Sequence, residues 1–234
     1  MKIWFVRHAQ SSANISNALD TAAPGASLSE LGRQQAEALP AALLAEIGRP
    51  VDVLYASPLR RTQETAAPLA QELGLEVLVR TGLQEVLAGD LEGRSDLTSI
   101  EQYLANARAW VAGDLDATLP GGETGHEVLA RVDAVVAEAY AAGAETVVMV
   151  THGCSIWTWV TIRAANIGRA LAPTNAMSNT GLVAVAGDPT SGWRAHSWEG
   201  TVLQDPALVD TDHDGPVSLA PAQAGLAAPT GSPG

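Results

Sequence analysis

Four short stretches of this 234-residue sequence carry side chains that handle protons and anions. "VRHAQSSAN" (6–14) offers Arg7, His8 and Asn14. "SPLRRTQETA" (57–66) offers Arg60 and Arg61. "LQEVLAGDLEG" (83–93) offers Glu85, and "THG" (151–153) offers His152. Guanidinium forks match the oxygens of phosphate or carboxylate. An imidazole can act as nucleophile or proton carrier, and a carboxyl group can give and take a proton. None of the four is specific alone. An isolated His is more often a satisfied core residue, and THG is only three residues long.

Their weight comes from the elements that must position them. Five β-rich runs stand out: 2–6, 51–57, 75–81, 146–151 and 181–187. Most are continuously apolar, as in strands buried on both faces. Helical patterns lie between them, near 27–48, 59–73, 97–112, 123–142 and 154–167. The first of these opens with Ser27 and Glu30 in capping-box spacing, and Pro40 is expected to kink or split it. This alternation predicts an α/β three-layer sandwich, with a mostly parallel central sheet and helices on both faces. Ligands of such sheets bind beyond the C-terminal strand ends. The runs at 2–6, 51–57, 75–81 and 146–151 each lead into one of the four stretches.

Those stretches together resemble the histidine phosphatase superfamily, whose fold is called phosphoglycerate mutase-like. "VRHAQSSAN" resembles its R-H-G-E/Q-S/T-x-x-N signature, with Ala9 in place of Gly. "SPLRRTQETA" is similar to its S-x-L-x-R-A-x-x-T-A block, which assigns the second arginine to Arg61 and leaves Arg60 a solvated helix residue. "LQE" with "GDLEG", "PGGET" (120–124) and "VTHG" complete the series in order over roughly residues 2–187.

The resemblance implies a phosphomonoesterase acting on a small phosphorylated metabolite. Phosphoryl transfer spreads charge over three equatorial oxygens. Arg7, Arg61 and His152 would hold these oxygens without a metal, with Asn14 as a further substrate contact. His8 would form phosphohistidine, and Glu85 would act as proton donor and then as base. No cofactor is expected. The alternatives are a phosphoglycerate-type mutase on the same fold and a protein phosphohistidine or phosphotyrosine phosphatase. Tyr103 and Trp110 lie where the family caps its site. The mutase is the weaker alternative, because the stretch from Glu85 to His152 is rich in acids and carries only Arg94, Arg108, Arg131 and His126 as basic residues.

Composition narrows the partners. The net charge of −13 argues against nucleic acid and against an anionic membrane. Any bound anion then needs a locally positive pocket. No apolar run reaches 18 residues, the N-terminus shows no signal-peptide pattern, and there is one cysteine, Cys154. These features predict a cytoplasmic protein. Residues 1–204 read as the folded domain, and 205–234, rich in Pro, Gly and Ala, as a flexible tail. Asp210, Asp212, Asp214 and Gly215 imitate half a calcium loop. Pro221 stands where that loop needs its closing Glu, so no metal site is expected.

Overall fold

The computed structural model describes residues 1–48, 50–167 and 177–202. The region from 205 onward, with its acidic cluster and His213, lies outside the described residues. The described strands are β1 (Lys2–Arg7), β2 (Val53–Ala56), β3 (Val77–Val79), β4 (Thr146–Thr151), β5 (Leu182–Asp188), β6 (Gly192–Trp198) and β7 (Thr201–Val202). They form one sheet in the order β3-β2-β4-β1-β5-β6-β7. The four strands from β3 to β1 run parallel. Strands β5, β6 and β7 continue the sheet antiparallel.

Helices α2 (Glu30–Ile47) and α3 (Arg60–Leu73) cover one face, and α5 (Gly125–Ala141) and α6 (Gly153–Arg163) the other. Side chains alternate across a strand. Trp4, Val6, Leu54, Ala56, Val148 and Val150 therefore pack with Leu39, Leu43 and Leu69. Ile3, Phe5, Tyr55, Val147 and Met149 pack with Val132, Val136, Ile156 and Trp159 on the opposite side. A third cluster lies above the strand ends. In it α4 (Leu97–Ala112) contributes Tyr103, Ala107 and Trp110, which pack on Leu19, Val86 and Val128. Short α1 (Ser12–Ser16) leaves the first strand end opposite α4.

Several boundaries differ from the sequence reading. Near-continuous apolar runs do not predict β6 and β7, because β6 alternates exposed and buried residues. Helix α2 is capped by Ser29, whose Oγ accepts from Gly32 N at 3.0 Å, and not by Ser27. Leu28 is held in an extended bridge to Ser11, so the chain cannot turn helical sooner. Pro40 does not split α2, which runs unbroken from Glu30 to Ile47. It is buried beside Leu39 and Leu43, and packing against the sheet outweighs the one backbone bond it removes. Helix α6 stops at Arg163 because Ala164 pairs with Trp193. No helix among the described residues is long and apolar enough to cross a membrane.

Candidate active site

The register of the parallel strands assembles the site. Arg7 pairs with Thr151 across β1 and β4, so His8 and His152 leave the sheet side by side. Their ring centroids are 5.2 Å apart, with planes at 62°. Ala56 pairs with Val150 across β2 and β4, which brings Ser57 to the same level. Arg61, in the first turn of α3, reaches over both rings. Its Nε donates to His8 Nε2 at 2.9 Å, and its Nη2 lies 3.1 Å from His152 Nδ1.

These contacts fix both tautomers. A carbonyl oxygen can only accept, so His8 Nδ1, 2.7 Å from Ala9 O, carries the proton and Nε2 keeps its lone pair. A guanidinium can only donate, so His152 Nδ1 accepts and its Nε2 donates to Ser57 Oγ at 2.8 Å. Both rings are held neutral well below the usual imidazole range. Burial is the main cause, and the charges of Arg61 and Arg7 add to it. Burial also lowers Arg7, to about 10, and lowers Arg61. Both guanidiniums remain charged at neutral pH.

Each charged group has a defined anchor. Arg7 Nη1 donates to Met177 O, while its buried Nε has no partner among the described residues. Gly153 starts α6 beside that Nε, where a Cβ would make ordinary van der Waals contact at 3.4 Å. Arg61 Nη1 donates to Asp20 Oδ2 at 2.8 Å, and its Nη2 donates to Asp20 O. Glu85 sits at the N-terminus of α6. One carboxylate oxygen accepts from Ser155 N at 2.9 Å and Ser155 Oγ at 3.0 Å, and the other from Cys154 N at 3.2 Å. The loop bearing Glu85 is tied down by Arg131, which donates to the carbonyls of Gly82, Gln84 and Glu85, and by Thr151 Oγ1, which donates to Leu83 O.

A cavity of about 100 Å³ opens onto this assembly. Arg7, His8, Asn14, Asp20, Arg61, Glu85 and Tyr103 are among its lining residues. Of the residues singled out from sequence, Arg7, His8, Asn14, Arg61 and Glu85 meet there. His152 is fully buried behind Arg61 and does not line it. Asn14 also caps α1, since its Oδ1 accepts from Ser11 N at 2.9 Å. Tyr103 lines the cavity and donates to Val86 O, whereas Trp110 is buried in the cap and bonds Ala117 O. Arg60 is exposed. Cys154 is half-buried and its thiol is pushed up by burial. Ala9 is fully buried with ordinary negative φ, so the site has no need of glycine there. His126 is exposed, 3.7 Å from Asp116, and His196 is exposed on β6.

Sequence reasoning missed Asp20, Ser57, Arg131 and Ser155. Ser57 was visible as the first residue of "SPLRR". Asp20 and Ser155 carry no local signal, since only the fold brings them to their partners.

Comparison with known proteins agrees with this geometry. The family model described as "Histidine phosphatase superfamily (branch 1)" matches residues 3–201. A PE-PGRS family protein of Mycobacterium tuberculosis is 35% identical over 84% of this chain, which spans 36% of that longer protein. Phosphoserine phosphatase 1 of Hydrogenobacter thermophilus is 33% identical over 65% of this chain and 71% of its own length. The solved structure of a mycobacterial glucosyl-3-phosphoglycerate phosphatase with VO3 superposes with a TM-score of 0.70 at 30% identity. It covers 85% of this chain and 98% of its own. With one arginine–histidine strand end, a second arginine over it and a family match spanning most of its length, this chain belongs to the histidine phosphatase superfamily.

Proposed function

We propose that this protein is a metal-independent phosphomonoesterase that hydrolyses a small phosphorylated metabolite through phosphohistidine on His8. One observation carries the reading. His8 is neutral, with a proton on Nδ1 and the Nε2 lone pair accepting from Arg61, and it lines one cavity with two guanidiniums and two carboxyl groups. The phosphoryl group sits between Arg7, which lines the cavity, and Arg61, which turns its Nε donor from His8 to a phosphate oxygen. His8 Nε2 attacks phosphorus and the bond to the alcohol oxygen breaks. Glu85, in its acid form, gives that oxygen its proton. The Glu85 carboxylate then takes a proton from water as the water oxygen attacks phosphorus. The P–N bond breaks, His8 is regenerated and phosphate leaves. His152 serves from behind, where it aligns Arg61. Two relatives are a phosphoserine phosphatase and a glucosyl-3-phosphoglycerate phosphatase, which supports a small-molecule monoester as substrate.

The test is His8→Ala. Turnover of p-nitrophenyl phosphate should vanish while circular dichroism is unchanged, and vanadate should inhibit the native protein. Full activity in His8→Ala would end the phosphohistidine reading.

A further inference from the structure

The catalytic cavity continues, through Arg7, Ala13, Asn14, Ala18, Leu19 and Tyr103, into a second space of about 120 Å³. This second space adds Asn17, Ile100 and Leu104 to its walls. We propose that it is the leaving-group subsite and that it selects the monoester of a compact apolar alcohol, one carrying neither a carboxylate nor a second phosphate. The proposal rests on the phosphatase reading above and names the substrate class of that same site.

Three observations carry it. The first is the wall. Ile100, Tyr103 and Leu104 stand one helical turn apart on α4 and present one face to the space. Ala13 and Ala18 face them from the segment around α1, with Leu19 beside them. Tyr103 spends its hydroxyl on Val86 O at 3.0 Å, so its ring is what it offers.

The second is charge. Among the described residues, Arg7 is the only charged residue lining this space. It also lines the catalytic cavity, next to His8, and there it serves the phosphoryl group. The other cations of the cap are committed. Arg94 pairs with Asp96 at 2.9 Å, Arg108 with Glu101, and Arg131 with Glu123 at 2.7 Å. Asn14 and Asn17 supply neutral amides only. A carboxylate placed against Ile100 and Leu104 would find no counter-charge there apart from Arg7, which serves the phosphoryl group, and it would displace water from their apolar surface without an ion pair to offset the loss.

The third is size. An apolar cavity of roughly 150 Å³ accepts benzene. A space of about 120 Å³ is somewhat smaller and opens on one side, so an alcohol built on a single ring or a short branched chain fits it with one end toward solvent.

The experiment compares kcat/KM for benzyl phosphate, phosphoserine and 3-phosphoglycerate. All three release poor leaving groups, so the ratios report recognition of the alcohol. The native protein should favour benzyl phosphate by tenfold or more. Ile100→Lys places a cation on the apolar wall outside the catalytic residues. It should close that gap by tenfold or more, with half-inhibition by vanadate unchanged within twofold. A native preference for 3-phosphoglycerate or phosphoserine would overturn the subsite proposal while leaving the phosphatase reading standing. So would an Ile100→Lys protein that binds vanadate normally and keeps the native ratio. Failure to hydrolyse any of the three, without vanadate binding, would remove the phosphatase reading and this proposal with it.

Discussion

Lowering the pH from 7.5 to 5.5 should cost this protein roughly 2–3 kcal/mol of stability through two side chains, His8 and His152. Both are buried, and both are held neutral well below the usual imidazole range by burial and by the Arg61 and Arg7 charges. In the unfolded chain each titrates near ~6.5. Between that value and the depressed folded value, the unfolded chain binds two more protons than the folded one. Stability therefore falls as pH falls through this window. Each ring contributes on the order of 1 kcal/mol over the two pH units, so the pair contributes roughly 2–3 kcal/mol. That is a large part of the roughly 5–15 kcal/mol that stabilises a domain. The assay is urea denaturation at both pH values for the native protein, His8→Asn and His152→Asn. Groups elsewhere that titrate in this range contribute to all three proteins and cancel in the comparison. Each variant should lose less than the native protein on acidification, by on the order of 1 kcal/mol. Equal losses in all three would show that the rings are not held neutral and would undo the tautomer argument.

Glu85→Gln should slow an alkyl phosphate about 10²–10⁴-fold, and p-nitrophenyl phosphate far less, because nitrophenolate leaves without a proton. Equal slowing, with burst kinetics excluding slow dephosphorylation, would move the acid elsewhere, with exposed Asp90 the next candidate. Gly32→Ala should lower Tm by several degrees and weaken turnover. A Cβ there would lie 1.9 Å from Gln10 O, and such overpacking costs about 1–3 kcal/mol. An unchanged Tm would show that the contact between α2 and the loop after His8 is slack. EDTA should leave activity intact, because Arg7 and Arg61 already bring to the cavity the positive charge that a metal would supply. Loss restored by magnesium or zinc would refute this. With 3-phosphoglycerate and 2,3-bisphosphoglycerate present, phosphate release should exceed isomerisation, since Arg94, Arg108 and Arg131 are all paired within the cap. Rapid isomerisation with little free phosphate would make the protein a mutase.

Much of the site is legible in the amino-acid sequence alone. Parallel strands buried on both faces announce themselves as apolar runs, and the residues just after each run must emerge at the same edge of the sheet. That rule is enough to bring Arg7, His8, Arg61 and Glu85 onto one cavity, because strand direction and element order are properties of the chain alone. Residues whose roles depend on register or on a distant partner leave no such trace. Asp20 anchors Arg61 across 41 residues, and Ser155 orients Glu85 across 70. His152 can be placed at the strand end, but not behind Arg61 and out of the cavity, because this depends on how α3 crosses both rings. Pro40 and the alternating strand β6 escape a local reading for a related reason. Local preference speaks against the first and only weakly for the second, and burial against the sheet decides both. Sequence determined which side chains reach the edge, since periodicity is local. Tertiary structure decided which nitrogen carries the proton, which carboxylate holds which guanidinium and what shape is left for the alcohol, since these depend on contacts between residues far apart in the chain.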